Sequence, residues 1–442
     1  MTLTNFNKDY LIYEDYFIFT PDFNGDITYY IEIIKQYNKL IFSNYRDLES
    51  NIEVIKDKNY YKWQFHSGFN KPLANSLDEL INLTVIFFGY DFNQPLANSL
   101  GKLINLTVIT FGNNFNQSLG NSLDKLINLT YLTFGDAFNQ PLANSLAKLI
   151  NLTVITFGYD FNQPLTNSLD KLINLTVITF GNDFNQPLAN SLDKLINLTH
   201  LTFGDAFNQP LANSLIQLIN LNQITFGNNF NKPLTNSLDQ LINLKYINFG
   251  GCFNQPLANS LNKLINLRYL TFSSNFNQPL TNSLEQLINS TEITFGDIFN
   301  QPLSNSLNKL INLTKIIFGA YFNQPLTNIL YHLTKLKFLA LGNEFNQELE
   351  LPPNIKILSV DCNIQNLMDN LPSSIEELHL QQFFDVRLDN LPNSIKKISF
   401  DIDSQYNKPL YNLPRSLELL ELPNEYKLEV KNLSSNCKIV YL

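Results

Sequence analysis

The chain has 442 residues, of which only 16% are charged, and its 30 Lys and Arg stand against 39 Asp and Glu for a net charge of −9. That balance disfavours nucleic acid, whose phosphates demand a basic stripe, and no such stripe is found. The three cysteines, Cys252, Cys362 and Cys437, are odd in number and far apart in sequence, which fits an intracellular chain without a disulfide framework.

The N-terminus carries Lys8, Asp9, Glu14 and Asp15 where a signal peptide needs an uninterrupted apolar run, so none is expected. No stretch approaches the roughly 20 apolar residues of a bilayer span, so no transmembrane helix is expected either. Residues 1–22 hold the aromatic run Tyr16-Phe17-Ile18-Phe19 before Pro21. From Phe23-Asn24 the chain falls into phase with a repeat that fills the rest of its length. Ile27, Ile31, Ile34, Tyr37, Leu40 and Phe42 occupy the apolar positions of that repeat, and a second window from Arg46 keeps Val54, Tyr60, Trp63 and Phe65. Both windows read as degenerate capping repeats, since a terminal unit must show a polar outer face while closing the core. A separate small N-terminal domain is the open alternative.

The repeat itself dominates the chain. A Phe-Asn pair recurs at a fixed step of 23 residues, at Phe69, Phe92, Phe115, Phe138, Phe161, Phe184, Phe207, Phe230, Phe253, Phe276, Phe299, Phe322 and Phe345. Such a strict period means one supersecondary unit stacked many times, and it overrides the length prior of about three domains. In the unit Phe161–Asp183, Pro164 and Asn167-Ser168 precede Leu169-Asp170-Lys171-Leu172-Ile173, which reads as a short helical turn with an Asn or Ser cap. Asn174 comes next, a residue suited to left-handed helix closure. Val177-Ile178-Thr179-Phe180 alternates as a strand, and Gly181 ends it. Eleven of the 16 glycines share that position, from Gly89 to Gly342, so they serve a turn and not a phosphate loop. The turns also carry a higher period of three units, Gly-Tyr-Asp, Gly-Asn-Asn and Gly-Asp-Ala from Gly89 and again nearly so from Gly158.

This unit resembles the leucine-rich repeat. Leu175, Ile178 and Phe180 fit its Leu-x-x-Leu-x-Leu core, and Leu169 and Leu172 fit its convex side. The repeated Asn departs from the pattern, falling five residues after the last core position, as Asn185 does after Phe180. Two readings are open for these asparagines: an inward ladder satisfying loop backbone groups, or simple caps of the bend. The aligned phenylalanines are expected to stack into a continuous spine, each worth about 1.5–3 kcal/mol on burial.

From Phe345 the spacing changes and the bodies become Pro352-Pro353-Asn354-Ile355, Leu371-Pro372-Ser373-Ser374-Ile375, Leu391-Pro392-Asn393-Ser394-Ile395 and Leu413-Pro414-Arg415-Ser416-Leu417. With bends such as Tyr406-Asn407-Lys408-Pro409-Leu410, this resembles the FNIP repeat, a leucine-rich-repeat relative of amoebae and giant DNA viruses, over about residues 69–422. The resemblance implies an interaction protein. Many members carry an N-terminal F-box coupling them to a ubiquitin ligase, but residues 1–22 are too short for one and 23–68 already keep the repeat phase. Phe-Asn-Gln-Pro-Leu repeats of bacterial surface proteins are similar in the bend, although their Trp-Asp body is missing here.

No reactive constellation stands out. His66, His200, His332 and His379 fall in different units without zinc-ligand spacing, and no nucleophile elbow or P-loop occurs. Asp91, Asp136, Asp160, Asp183 and Asp205 in the turns could suggest calcium, but Asp favours turns and is replaced freely by Asn or Ala at these places. Asn-Leu-Thr at Asn82, Asn105, Asn128, Asn151, Asn174, Asn197 and Asn312 matches the glycosylation acceptor and in an intracellular chain is a by-product of the repeat. What varies is the strand face turned from the core. One outward position is nearly always Thr; the other runs Val85, Val108, Tyr131, Val154, Val177, His200, Gln223, Tyr246, Tyr269, Glu292, Lys315, Phe338. Recognition is written where a rigid scaffold varies, and Tyr is favoured at interfaces. Tyr131, His200, Tyr246, Tyr269, Glu292, Lys315 and Phe338 are therefore the candidate partner-binding residues, with Tyr246 and Tyr269 expected side by side.

The sequence thus predicts an α/β leucine-rich-repeat-like solenoid, with a curved parallel β-sheet and short helices or 3-10 turns on the convex side. Its parts are an N-terminal segment with capping repeats at 1–68, twelve 23-residue repeats at 69–344, and diverged repeats with a C-terminal cap at 345–442. The expected role is a non-enzymatic scaffold binding a protein partner on the concave face, without cofactor or metal, nucleic acid or membrane. It is expected inside the cell, in the cytoplasm, or in the host cytoplasm if the chain is viral. A ubiquitin-ligase substrate adaptor is the alternative.

Overall fold

A computed structural model describes residues 8–42, 67–326 and 328–442. It divides into two compact units, Met1–Phe230 and Asn231–Leu442. The first opens with an antiparallel hairpin of β1 (Tyr10–Tyr13) and β2 (Tyr16–Phe19). β2 pairs in parallel with β3 (Lys39–Phe42), and β3 with β4 (Val85–Phe87). One three-residue strand per repeat continues the parallel ladder to β10 (Gln223–Thr225). The second unit runs in parallel from β11 (Tyr246–Asn248) to β20 (Lys438–Tyr441), with strands of four residues from Phe338–Leu341 onward. Both units are leucine-rich-repeat-like solenoids.

At the N-terminus the stack steps from the Phe23 turn to the Phe69 turn. Their rings stack 5.9 Å apart and the Asn24 side-chain Oδ1 accepts the Asn70 N–H at 3.2 Å, across 46 residues of sequence. Phe23, Ile27, Ile31, Ile34, Leu40 and Phe42 are all buried, as the repeat phase required. The window from Arg46, with Val54, Tyr60, Trp63, Phe65 and also His66, lies outside the described residues.

Seven apolar side chains fill the typical turn of the core, and in the Phe276 unit the buried Ser290 replaces one of them. In the Phe161 unit Phe161, Leu165, Leu169, Leu172, Leu175, Ile178 and Phe180 are at most 3% exposed. The expected phenylalanine spine is present and double. From Phe69 to Phe230 openers stack on openers at 6.0–6.1 Å, the strand-end phenylalanines from Phe88 on each other at 5.5–5.8 Å, and the two columns touch at 4.0–4.4 Å. Near-parallel rings at these separations are offset stacks. Strands lie about 4.8 Å apart, so spacing widens from strand to opener, and that taper puts the strand face on the inside of the unit's bend.

Three local expectations change. The segment after Pro-Leu is not a capped helix but a succession of tight turns, each closed by an N–H reaching the carbonyl three residues back, as Ser168→Leu165, Leu172→Leu169 and Leu175→Leu172. Leu169 and Leu172 face inward because an i, i+3 pair serves one turn as well as one helical face. Secondly, Asn174 does not take the left-handed conformation; that falls earlier, at Ala74, Ala97, Ala143, Ala212 and Ala258, but at Asn167, Asn236 and Asn282 where Thr precedes. A β-branched residue tolerates positive φ poorly, so Thr passes the strained position to the next residue, Asn. Asn190 takes it although Ala precedes, for which the structure offers no reason. Thirdly, Gly181 is not left-handed either. A Cβ there would overlap the carbonyl oxygen of Gly158 in the turn below, so close approach of stacked backbones favours glycine, although the equivalent place after Phe272 takes Ser273, buried with its hydroxyl donating to the Phe253 carbonyl.

Candidate partner-binding face

Strand alternation turns two columns of side chains away from the phenylalanine core. In the first unit one column is Val85, Val108, Tyr131, Val154, Val177, His200 and Gln223, in direct register. Tyr131 is 39% exposed, His200 is exposed, and the two buried or half-buried valines Val154 and Val177 separate them. The His200 Nδ1 lies 2.9 Å from the Thr199 hydroxyl, which itself donates to the Thr176 carbonyl at 2.9 Å. The parallel Thr column is half-buried, and the hydroxyls of Thr110 and Thr156 are buried without a partner among the described residues.

The second unit brings its five candidates together. Tyr246, Tyr269, Glu292, Lys315 and Phe338 are consecutive register neighbours on five adjacent strands. Tyr246 and Tyr269 lie side by side as expected, with ring centroids 6.4 Å apart and planes at 44°. The Lys315 ammonium lies 3.6 Å from the Glu292 carboxylate and 5.2 Å from the centre of the Phe338 ring, so it bridges a charge and an aromatic face. Beside Phe338, the outward residues Ile317, Ala340 and Ile357 are half-buried and form an apolar patch.

Sequence reasoning stopped at Phe338, but the same columns continue through Glu377, His379, Lys397, Ser399 and Glu421. Glu377 and His379 stand 3.5 Å apart, Lys397 and Glu421 2.9 Å, and the Ser399 hydroxyl donates to Glu421 at 2.6 Å. That hydroxyl and then the Lys397 ammonium hold the Glu421 carboxyl below its usual range. The alternation Glu377-Leu378-His379-Leu380 was the signal that could have found them.

The Asp turns are turn chemistry. The Asp91 carboxylate accepts from the Asn114 side-chain amide at 3.0 Å and the Asp136 carboxylate from that of Asn113 at 2.6 Å. Among the described residues no three metal-capable side chains gather, and no helix is long and apolar enough to cross a membrane.

The bend asparagines do form a ladder, along the half-buried rim of the turns. The side-chain Oδ1 accepts the backbone N–H of the Asn one unit on and the amide of the next Gln, as that of Asn162 does from Asn185 at 3.0 Å and Gln186 at 2.9 Å. The Asn174 position has its own ladder, its amide donating to the Ile150 carbonyl of the unit before at 2.8 Å.

Against known proteins, the FNIP Repeat family matches residues 345–383. CroV588, a circular leucine-rich-repeat protein, is 26% identical over 98% of this chain and 77% of its own, with a TM-score of 0.58. TLR13, solved in complex with ssRNA13, is 15% identical over 89% of this chain and 56% of its own, at 0.60. Toll, solved as the Toll–Spatzle complex of Drosophila, is 14% identical over 96% and 65%, at 0.52. No curated protein matches the sequence.

Proposed function

We propose that this chain is a non-enzymatic protein-interaction scaffold that takes its partner on the outward strand face of the second unit. The observation that carries this is the unbroken run Tyr246–Tyr269–Glu292–Lys315–Phe338, with the apolar patch of Ile317, Ala340 and Ile357 beside Phe338. Rigid strands present two tyrosines and a phenylalanine at low entropic cost, which is what interface hot spots require. Leucine-rich-repeat solenoids serve as interaction scaffolds, and the solved complexes pair one such protein with RNA and another with Spatzle. The net charge of −9 favours a protein over RNA here. Tyr131 and His200 form a lesser, separated part of the same kind of surface. The unpaired thiols Cys252, Cys362 and Cys437 support an intracellular setting, and we take it to be cytoplasmic.

The test is quantitative affinity capture with the wild type and with Tyr269→Ala combined with Phe338→Ala. Loss of a specific partner by roughly 30-fold, the weight of one hot spot of about 2 kcal/mol, supports the face. Retention of every partner at equal yield removes it. A narrower version, in which the bound protein is handed to a ubiquitin ligase, rests on the FNIP match alone. Absence of any ligase subunit among the captured proteins disposes of that version.

A further inference from the structure

A second surface lies in the first unit, on the rim where the turns leave the strands. A shallow hollow there, about 620 Å³ and largely open to solvent, is lined by Asn24, Asn70, Asn93, Asn114, Asn116 and Asp91, with Gly68 and Ala137 completing it. Five asparagines and one aspartate among eight lining residues leave no cation for an anionic ligand and no apolar pocket for a peptide side chain.

The ladder leaves these amides half spent. The side-chain Oδ1 atoms of Asn70 and Asn93 each take the next Asn N–H at 3.0 Å and the next Gln amide at 2.9 Å. Because the partner is a backbone N–H, the oxygen of each amide is fixed, and so is its NH₂. No acceptor among the described residues takes the NH₂ groups of Asn70, Asn93 or Asn116, nor, further along, those of Asn139, Asn162 and Asn185. Beside this row the Asp91 carboxylate has one amide partner, Asn114, and room for more. The rim therefore offers, turn after turn, an unspent amide donor, with a carboxylate acceptor close by at Asp91.

We propose that this rim binds a linear, neutral oligosaccharide lying along the stack. A sugar hydroxyl both accepts and donates, so an amide hydrogen and a carboxylate oxygen together satisfy it, and a polymer engages successive turns with gains that multiply. An extended peptide would also use amide donors, but it draws its specificity from side-chain pockets, which the lining lacks.

The experiment is titration calorimetry of the full chain with soluble cello-, laminari-, malto- and chito-oligosaccharides of two to six sugars. Expected is binding of one series that tightens with length. Asn93→Asp and Asn116→Asp keep the ladder oxygen and replace only the NH₂; each should weaken binding at least about tenfold, one lost hydrogen bond's worth, with an unchanged melting temperature. Should either variant fail to fold, Ala137→Leu, which fills the hollow from its edge, is expected to abolish binding in a folded protein. No binding by any series at millimolar sugar, equal binding by all folded variants, or binding of a neutral extended peptide in place of every sugar would each overturn the proposal.

Discussion

The near-identical repeats from Phe69 to Gly342 and the diverged ones from Phe345 onward build the same kind of turn by different means. In the first, polar groups are satisfied by Asn and Gln passing hydrogen bonds from turn to turn. In the second, the ladder position becomes Asn363, Asp385 and Asn407, and lysine–carboxylate pairs appear at Lys356–Glu376, Lys397–Glu421, Lys408–Asp385 and Lys431–Glu429, all at 2.5–2.9 Å. The longer uniform run holds only Lys309–Glu285 and Lys315–Glu292 between its own described residues. The reason is symmetry. In an identical stack every side chain faces its own copy, so a charge meets a like charge, whereas an amide is donor and acceptor at once and can chain without end. Charge complementarity becomes available only where repeats differ.

The widest separation between the regions is expected at the aromatic columns. Phe138 is fully buried, stacked on Phe115, Phe134 and Phe161. Phe138→Ala should lower stability by about 3–5 kcal/mol, read from a urea midpoint. A smaller loss would mean that neighbouring turns collapse into the gap. Next in size is Gly181→Ala. Its methyl would overlap the Gly158 backbone, which cannot rotate away, so a loss of about 1–3 kcal/mol is expected. The diverged repeats place Asp361, Gln381 and Asp401 after their strands and need no glycine there. A neutral Gly181→Ala would show that the turns have slack.

These positions also mark how far the sequence could be read. The period, the strand, the buried faces and the Tyr246–Tyr269 contact came from spacing, because a step of 23 residues without insertion forces equivalent residues into columns. Direct stacking of the Phe23 turn on the Phe69 turn did not, since phase alone does not say which turn neighbours which. Nor did the left-handed residue, which depends on a local contest between Ala or Thr and the Asn after it. Glu377, His379, Lys397 and Glu421 escaped because spacing of 19 to 22 residues hides the register that the strands keep.

The two ways of satisfying polar groups should also part under acid. Asn162→Ala strips an acceptor from the Asn185 N–H and the Gln186 amide on a half-buried rim, and should cost about 1–2 kcal/mol at any pH. Glu376 and Glu421 have folded carboxyls depressed below their unfolded values, Glu376 by Lys356 and Glu421 by Ser399 and then Lys397. Their contribution is therefore complete above the ordinary carboxylate range and is lost as pH falls through the depressed folded values. Amide exchange by mass spectrometry is expected to show β17 (Glu377–Leu380) to β19 (Leu419–Leu422) loosening in acid before the Phe69–Gly342 repeats, and Glu421→Gln should reduce the difference. Simultaneous loosening of both regions would refute the distinction.

The smallest effect expected carries the opposite sign. Tyr406 occupies an opener position, stacked on Phe384 at 6.0 Å and Tyr426 at 6.2 Å, and is 5% exposed. Its hydroxyl has no hydrogen-bond partner among the described residues, and burial pushes its pKa up. Phenylalanine keeps the ring and the stack while removing an uncompensated buried dipole, so Tyr406→Phe should leave stability unchanged or raise it by about 1 kcal/mol. Tyr426 is the control: its hydroxyl donates to the Lys408 carbonyl at 3.0 Å, and Tyr426→Phe should cost about 1 kcal/mol. Equal losses from both variants in matched urea titrations would mean that Tyr406 has a partner in solution. Opposite signs would show the diverged repeats still carrying a position where the phenylalanine of the uniform repeats fits better than the tyrosine that replaced it.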